Sequence, residues 1–293
     1  MQTLIVVAIA GLAAQLVDGS LGMGYGLTSS TLLIFAGLTP AMASASVHLA
    51  EVGTTALSGI SHHRFGNVDW SIVRRIAIPG GIGAFAGATL LSSISTAAAK
   101  PLASTLLFIL GLYVLARFLF GRARVQRAGL PGLQFLAPLG LIGGFIDATG
   151  GGGWGPVTTP TLLADGRLAP NRVIGTVSAS EFIVAISASL GFFTSLGGGG
   201  VRIELVLALL AGGLIAAPIA AYLVRHLNPR LLGVTVGGFI CFTNARILLA
   251  AVGVSGELFL AAYVVIIALW ATALGWTYRA LRSETPSTSR KRR

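Results

Sequence analysis

The sequence predicts an all-α polytopic membrane protein. The expected plan is two inverted repeats, each a glycine-broken re-entrant hairpin plus three transmembrane helices, followed by one extra C-terminal transmembrane helix. Three observations predict it. Of 293 residues, 54% are hydrophobic before any of the 40 glycines is counted, and only 10% are charged, against about 25% in a soluble domain. Apolar runs near the ~20 residues needed to cross a bilayer recur along the chain. A glycine-rich interruption of such a run occurs twice at a fixed spacing, with three long runs after each copy and one more at the end. The composition excludes a soluble enzyme, a disordered chain and a secreted disulfide scaffold. The unbroken apolar runs exclude a barrel of alternating ten-residue strands.

In chain order the runs are 1–17, 27–38, 41–60, 72–92, 101–120, 133–149, 156–164, 173–196, 203–224, 231–251 and 256–279. Seven reach about 20 residues, enough for ~30 Å of hydrocarbon at ~1.5 Å per residue. Run 1–17 lacks a basic leading segment and a clean small-residue cleavage site, so it is expected to remain as a membrane segment rather than leave as a signal peptide. The pairs 1–17/27–38 and 133–149/156–164 differ from the rest. Each has a marginal first arm, a glycine-rich break and a second arm too short to cross. A membrane tolerates such breaks only where protein or a water-filled cavity surrounds them.

Charge distinguishes a pair that crosses once from one that returns to its own side. With both pairs returning, 17 of the 20 Lys and Arg residues fall on one side; with both crossing once, the split is 8 against 11. The positive-inside rule favours hairpins, whether their arms re-enter or fully span. Basic loops on the cytoplasmic face of a cell inner membrane then account for the net charge of +11 without nucleic acid. The chain divides into a first transmembrane repeat (1–120), a basic cytoplasmic linker (121–132), a second repeat (133–251), an extra transmembrane helix (252–281) and a basic, disordered tail (282–293).

The two breaks are copies of each other. Gly11 to Gly26 matches Gly140 to Gly155 at an offset of 129, aligning Asp18 with Asp147, Gly22 with Gly151, Gly24 with Gly153, Tyr25 with Trp154 and Gly26 with Gly155. After one added residue Pro40 aligns with Pro170 and Glu51 with Glu181. Later, Gly80-Gly81 aligns with Gly212-Gly213, and Ala116-Arg117 with Ala245-Arg246. A unit with an odd number of crossings sets its second copy upside down. Inverted repeats with broken helices at matching places mark secondary transporters.

The breaks are the first candidate site. The opening turn of a helix leaves N–H groups unpaired and carries partial positive charge, which suits an anion. Glycines permit the close backbone approach such a nest needs. The substrate-binding candidates are Gly22, Gly24, Tyr25, Gly26 and Thr28 in one half, and Gly151, Gly153, Trp154, Gly155 and Thr158 in the other. Ser20, Ser29, Ser30, Thr149 and Thr159 supply further hydroxyls. Tyr25 and Trp154 either pack the hairpins or wall a cavity. Asp18 and Asp147 either cap the second arms or titrate as protons move.

Glu51 and Glu181 each lie about ten residues into a spanning helix, where an ionised acid is costly and function is the default hypothesis. Ser44, His48, Glu51, Thr55 and Ser58 form a polar stripe at spacings of 4, 3, 4 and 3, one face of a helix. His48 is the expected partner of Glu51, with proton coupling as the role, against the alternative of an inert hydrogen-bonded acid. The second stripe has Ser178 before Glu181 but no histidine. Arg246 either snorkels to the interface or serves as an anion partner.

The doubled glycine-rich block, with the proline-containing turn and small-residue helix after it, resembles the TauE/SafE sulfite-exporter family of permeases over nearly the whole chain. The resemblance implies transport of small sulfur-containing anions, such as sulfite or organosulfonates, across the cytoplasmic membrane. One departure is visible: Pro160 follows the second block, but Thr31 holds the matching place after the first. The expected partners are the anion and the lipid bilayer. No metal or cofactor is expected, since Cys241 stands alone, four histidines are scattered and no Walker A motif occurs. A passive anion channel shares the basic mouth, yet buried acids would repel its ion. An intramembrane enzyme needs a nucleophile set on facing helices, and Ser44 with His48 is the nearest approach.

Overall fold

The computed structural model describes residues 2–21, 23–120, 129–197, 201, 203–223 and 228–284. The basic linker from 121 to 128 and the tail from 285 onward lie outside the described residues. Among those described are eleven α-helices and no strand. They are α1 (Gln2–Leu21), α2 (Tyr25–Phe35), α3 (Pro40–Arg64), α4 (Trp70–Ser93), α5 (Thr96–Phe120), α6 (Leu133–Gly150), α7 (Trp154–Asp165), α8 (Pro170–Leu196), α9 (Ile203–Leu223), α10 (Pro229–Ala251) and α11 (Gly256–Glu284).

Each apolar run corresponds to one helix, run 27–38 outlasting α2 by the turn at 36–38, and polar capping residues stand just before several helices. Thr39 accepts from the Met42 amide at 3.3 Å ahead of Pro40. Asp69 accepts from Ser71 and Ile72 at 3.1 and 3.2 Å to start α4. Asn228 accepts from Arg230 at 2.9 Å ahead of Pro229. Such caps satisfy the orphan amides of a first turn.

Among the described residues, six helices are long and apolar enough to cross a membrane: those on α4, α5, α6, α8, α10 and α11. Two differences from expectation stand out. α6, read as a marginal first arm, qualifies by length and composition. α3 has 25 residues, about 37 Å at ~1.5 Å per residue, yet does not qualify, because its polar stripe dilutes its hydropathy.

Packing interleaves the two halves. α4 lies on α6, where a Cβ on Gly83, Gly87, Gly140 or Gly144 would run into backbone of the facing helix. α9 lies on α1 in the same manner, through Gly11 and Gly212. Between lipid-embedded helices no hydrophobic drive exists, so close backbone approach at small residues supplies the attraction. α3 and α8 run antiparallel, Ala45 and Leu49 sharing a groove with Ile186 and Leu190 while Ser58 meets Ser178. α5 and α10 also run antiparallel, Phe108 near Cys241 and Phe118 against Gly233. One buried cluster joins Val7, Leu27, Val47 and Leu107 to Leu209 and Ile240. The other joins Ile72, Ile76 and Ala84 to Leu136, Trp154, Val184 and Phe192. α11 packs on α10, its Trp270 ring covering Gly238 and its Tyr263 hydroxyl donating to Phe242 O at 3.1 Å.

The loop between α3 and α4 meets the start of α8. Arg172 Nη2 donates to Asp69 Oδ2 at 3.1 Å, and the Asp69 amide donates to Thr176 Oγ1 at 2.9 Å. The end of α5 meets α11 through Phe120 and Trp276, 5.9 Å between ring centroids. These are segments the charge count grouped on one side.

Candidate functional site

Both breaks sit where the halves interleave. α1 stops at Leu21 and α2 starts at Tyr25, with Gly24 at φ 114°. α6 stops at Gly150 and α7 starts at Trp154, with Gly151 and Gly152 at φ 79° and 152°. These positive angles strain any residue bearing a Cβ. The breaks touch: a Cβ on Gly26 would lie 2.8 Å from both Gly152 Cα and Glu51 Oε1. Ser30 of α2 donates to Gly151 O, and Ser44 of α3 donates to Ala148 O at 2.7 Å. First-half hydroxyls thus satisfy carbonyls that the second break leaves open, as buried backbone requires.

Asp147 organises the second break. Its Oδ1 accepts from the amides of Gly153 and Trp154 at 2.6 and 2.9 Å, and its Oδ2 faces His48 Nε2 at 3.1 Å. The His48 ring is fixed from its other edge, Nδ1 lying 2.8 Å from Ser44 O. A carbonyl oxygen only accepts, so Nδ1 carries the hydrogen. The contact at Nε2 then needs one further hydrogen, on Nε2 or on Oδ2, and the pair shares that proton. Sequence reading paired His48 with Glu51; the ring is instead hydrogen-bonded across the halves to Asp147. The reason is reach: the first carboxylate to arrive in the plane of the ring comes from α6, not from α3 itself.

Glu51 is 2% exposed, and its Oε2 has no hydrogen-bond partner among the described residues. Donor atoms of His48, Glu51 and Asp147 lie within 4.8 Å of one another, a spacing that can hold a cation. Against that use, Asp147 is already engaged by two amides and the imidazole.

Among the described residues the first break shows fewer bonds to its aspartate: Asp18 Oδ1 accepts one, from the Tyr25 amide at 3.4 Å. Tyr25 lines a small chamber of about 40 Å³ together with Gln15, Asp18, Glu51, Thr55, Ser178 and Glu181, and its hydroxyl donates to Leu209 O at 3.4 Å. At roughly 10–15 Å³ per water, the chamber holds about three. The structure therefore brings Asp18, Glu51 and Glu181 to one space, while His48 and Asp147 pair beside it.

The other candidates divide. Trp154 is fully buried, donates from Nε1 to Val177 O at 3.2 Å, and fits its ring where a Cβ on Gly80 would be; it does not line the chamber. Thr158 donates back to Trp154 O, as Ser29 does to Tyr25 O. Thr28, Thr149 and Thr159 are buried with hydroxyls unpartnered among the described residues. Gly155 packs on Met23 and Gly24. Arg246 is exposed, its guanidinium 5.8 Å from the Phe35 ring centroid, away from the breaks. Gly22 and the Ser20 side chain lie outside the described residues. Sequence reading missed Gln15 and Thr54 as chamber residues. A glutamine inside the apolar run 1–17 was the available signal, since a polar group there needs a wet or bonded neighbour.

Compared with known proteins, residues 7–247 match the profile described as "Sulfite exporter TauE/SafE". A "Probable membrane transporter protein YtnM" of Bacillus subtilis (strain 168) is 56% identical over 251 residues, covering 85% of this chain and 84% of that protein. No solved structure is significantly similar to the chain.

Proposed function

The chain belongs to the TauE/SafE sulfite-exporter family, and on that premise we propose that it is a secondary transporter exporting a small sulfur-containing anion, such as sulfite or an organosulfonate, with proton coupling. It is a multi-pass membrane protein with a role in transport. In the proposed reading its home is the cell inner membrane, with the basic loops and tail in the cytoplasm. The two halves are inverted repeats, a reading supported by the antiparallel pairing of α3 with α8 and of α5 with α10. α1–α2 and α6–α7 are the broken hairpins.

The observation that carries the reading is the contact of the two breaks beside an acidic chamber. The amides of Gly26, Leu27 and Gly155 make no hydrogen bond among the described residues. With the free hydroxyls of Thr28, Thr149 and Thr159 they form an anion cradle once the hairpins part, as alternating access requires. Asp18 and Asp147 act chiefly as caps, occupying the Tyr25, Gly153 and Trp154 amides and leaving the next donors for the guest. Asp18, Glu51 and Glu181 line the chamber without a Lys or Arg. An approaching anion is repelled by these carboxylates unless they carry protons, so anion binding and protonation favour each other. By linkage that mutual preference is the coupling. His48 and Asp147, which share a proton, extend the relay.

The test is flux in proteoliposomes across sulfite, thiosulfate, an organosulfonate, sulfate and chloride, with and without an imposed pH gradient. Saturable flux of a sulfur anion that responds to the gradient supports the proposal. Unsaturable chloride flux would make the protein a channel, and movement of a cation alone would remove the anion from the account.

A further inference from the structure

Beside the acidic chamber lies a second, larger cavity, whose lining mixes a polar stripe with the apolar Leu57, Phe65 and Leu214. It is a cleft of about 330 Å³ bordered by Gln15 of α1, Thr54, Ser58, Ser61 and His62 of α3, and Asn67 of the α3–α4 loop. Gln15, Thr54 and Ser58 border the chamber as well, so the two spaces meet at these three side chains. Resting on the transporter reading, we propose that this cleft is the aqueous access route to the chamber from the 65–69 loop end. Gln15, Thr54 and Ser58 form its neck.

The sequence of α3 dictates the route. Glu51, Thr54, Thr55, Ser58, Ser61 and His62 recur at helical spacing on one face. That polar face is why α3, at 25 residues, is too polar among the described helices to count as a simple span. At the neck Ser178 of α8 donates to Ser58 Oγ at 2.7 Å, bridging the two helices where the passage narrows. The neck residues are an amide and two hydroxyls. Neutral donors can strip water from an oxyanion without holding it as tightly as a fixed positive charge would.

Toward the opposite end the same helix is sealed. Ser44 is bonded to Ala148 O, His48 to Asp147, and Ser30 to Gly151 O. The groove at that end, bordered by Ala45, Leu49, Val52, Ile186, Leu190 and Phe193, is apolar and shares no residue with the chamber. Among the described residues, the chamber thus adjoins the cleft and not the groove.

Cys241 is the single cysteine, so a Cys241→Ser background accepts single reporters: Thr54→Cys, Ser58→Cys and Ser61→Cys in the cleft, Phe65→Cys for the loop end and Ser95→Cys for the other end. A membrane-impermeant cationic methanethiosulfonate is applied to vesicles of each orientation. Cleft reporters should react from the face that labels Phe65→Cys, and at least about tenfold slower from the face that labels Ser95→Cys, because thiol reaction follows access. Labelling from the Ser95 face, or none in the cleft while Phe65→Cys reacts, overturns the route. If a neck variant fails to fold, Ser61→Cys at the wider mouth decides. Labelling needs no transported solute, so its failure is separate from failure of the transport assay.

Discussion

The two breaks are near-copies in sequence and unlike in structure. At the second, Asp147 holds two amides and an imidazole, and Trp154 is sealed between helices with its N–H satisfied. At the first, among the described residues, Asp18 holds one amide at 3.4 Å and Tyr25 fronts the chamber. The second break also grips His48 of the opposite half, and the first lines the acidic chamber, which in the proposed reading is the face turned to solute. In the proposed reading of two repeats, the neighbours of Asp18 and Asp147 and the exchange of Tyr25 for Trp154 give the two breaks different surroundings.

The sharpest way to break this comparison is at the glycines. Gly152→Ala adds strain at φ 152° and a clash with Leu27 N, expected to cost about 2–5 kcal/mol from left-handed strain plus overpacking. Gly24→Ala, with its nearest contact at 3.5 Å, should cost only the strain, about 1–2 kcal/mol. Thermal unfolding of the two purified variants in detergent checks the order, and equal losses would erase the asymmetry. The carboxylates come next. Asp147→Ala should destabilise by about 3–5 kcal/mol, as removal of one partner of a buried pair does. Asp18→Ala should lose about 1 kcal/mol, the worth of a cap. Chemical denaturation of both, read by tryptophan fluorescence, tests the difference.

Smaller effects sharpen it further. Tyr25→Phe removes one hydrogen bond worth about 0.5–1.5 kcal/mol but alters a chamber wall, so flux should change more than stability. Trp154→Phe should show the reverse, losing stability with little change in substrate KM. Arg246→Gln is the smallest: the side chain is exposed and distant from the breaks, so substrate KM should stay within about twofold, the scale of surface substitutions. A large rise in KM would restore Arg246 as an anion partner.

Much of this architecture was legible in the residues because helices in lipid announce themselves by length and hydropathy. The run 72–92 lies within Trp70–Ser93, and 156–164 within Trp154–Asp165. The close backbone approach expected of the doubled glycine block is met where Gly26 lies against Gly152. What sequence could not supply was partnership. His48 and Asp147 are 99 residues apart, and only the interleaving of α3 with α6 makes them neighbours. Within one helix Glu51 sits closer in register to His48, so local spacing pointed to the wrong acid. Gln15 escaped notice for the same reason: its role depends on facing α3 and α8, not on the apolar run that contains it.

Glu51 is where the two breaks and the chamber converge, so the most direct measurement is sulfite flux from proteoliposomes bearing the native protein or Glu51→Gln, across a range of imposed pH gradients. The account predicts saturable flux in both, steepened by the gradient in the native protein and indifferent to it in the variant. Flux in the variant that tracks the gradient as the native protein does would contradict it.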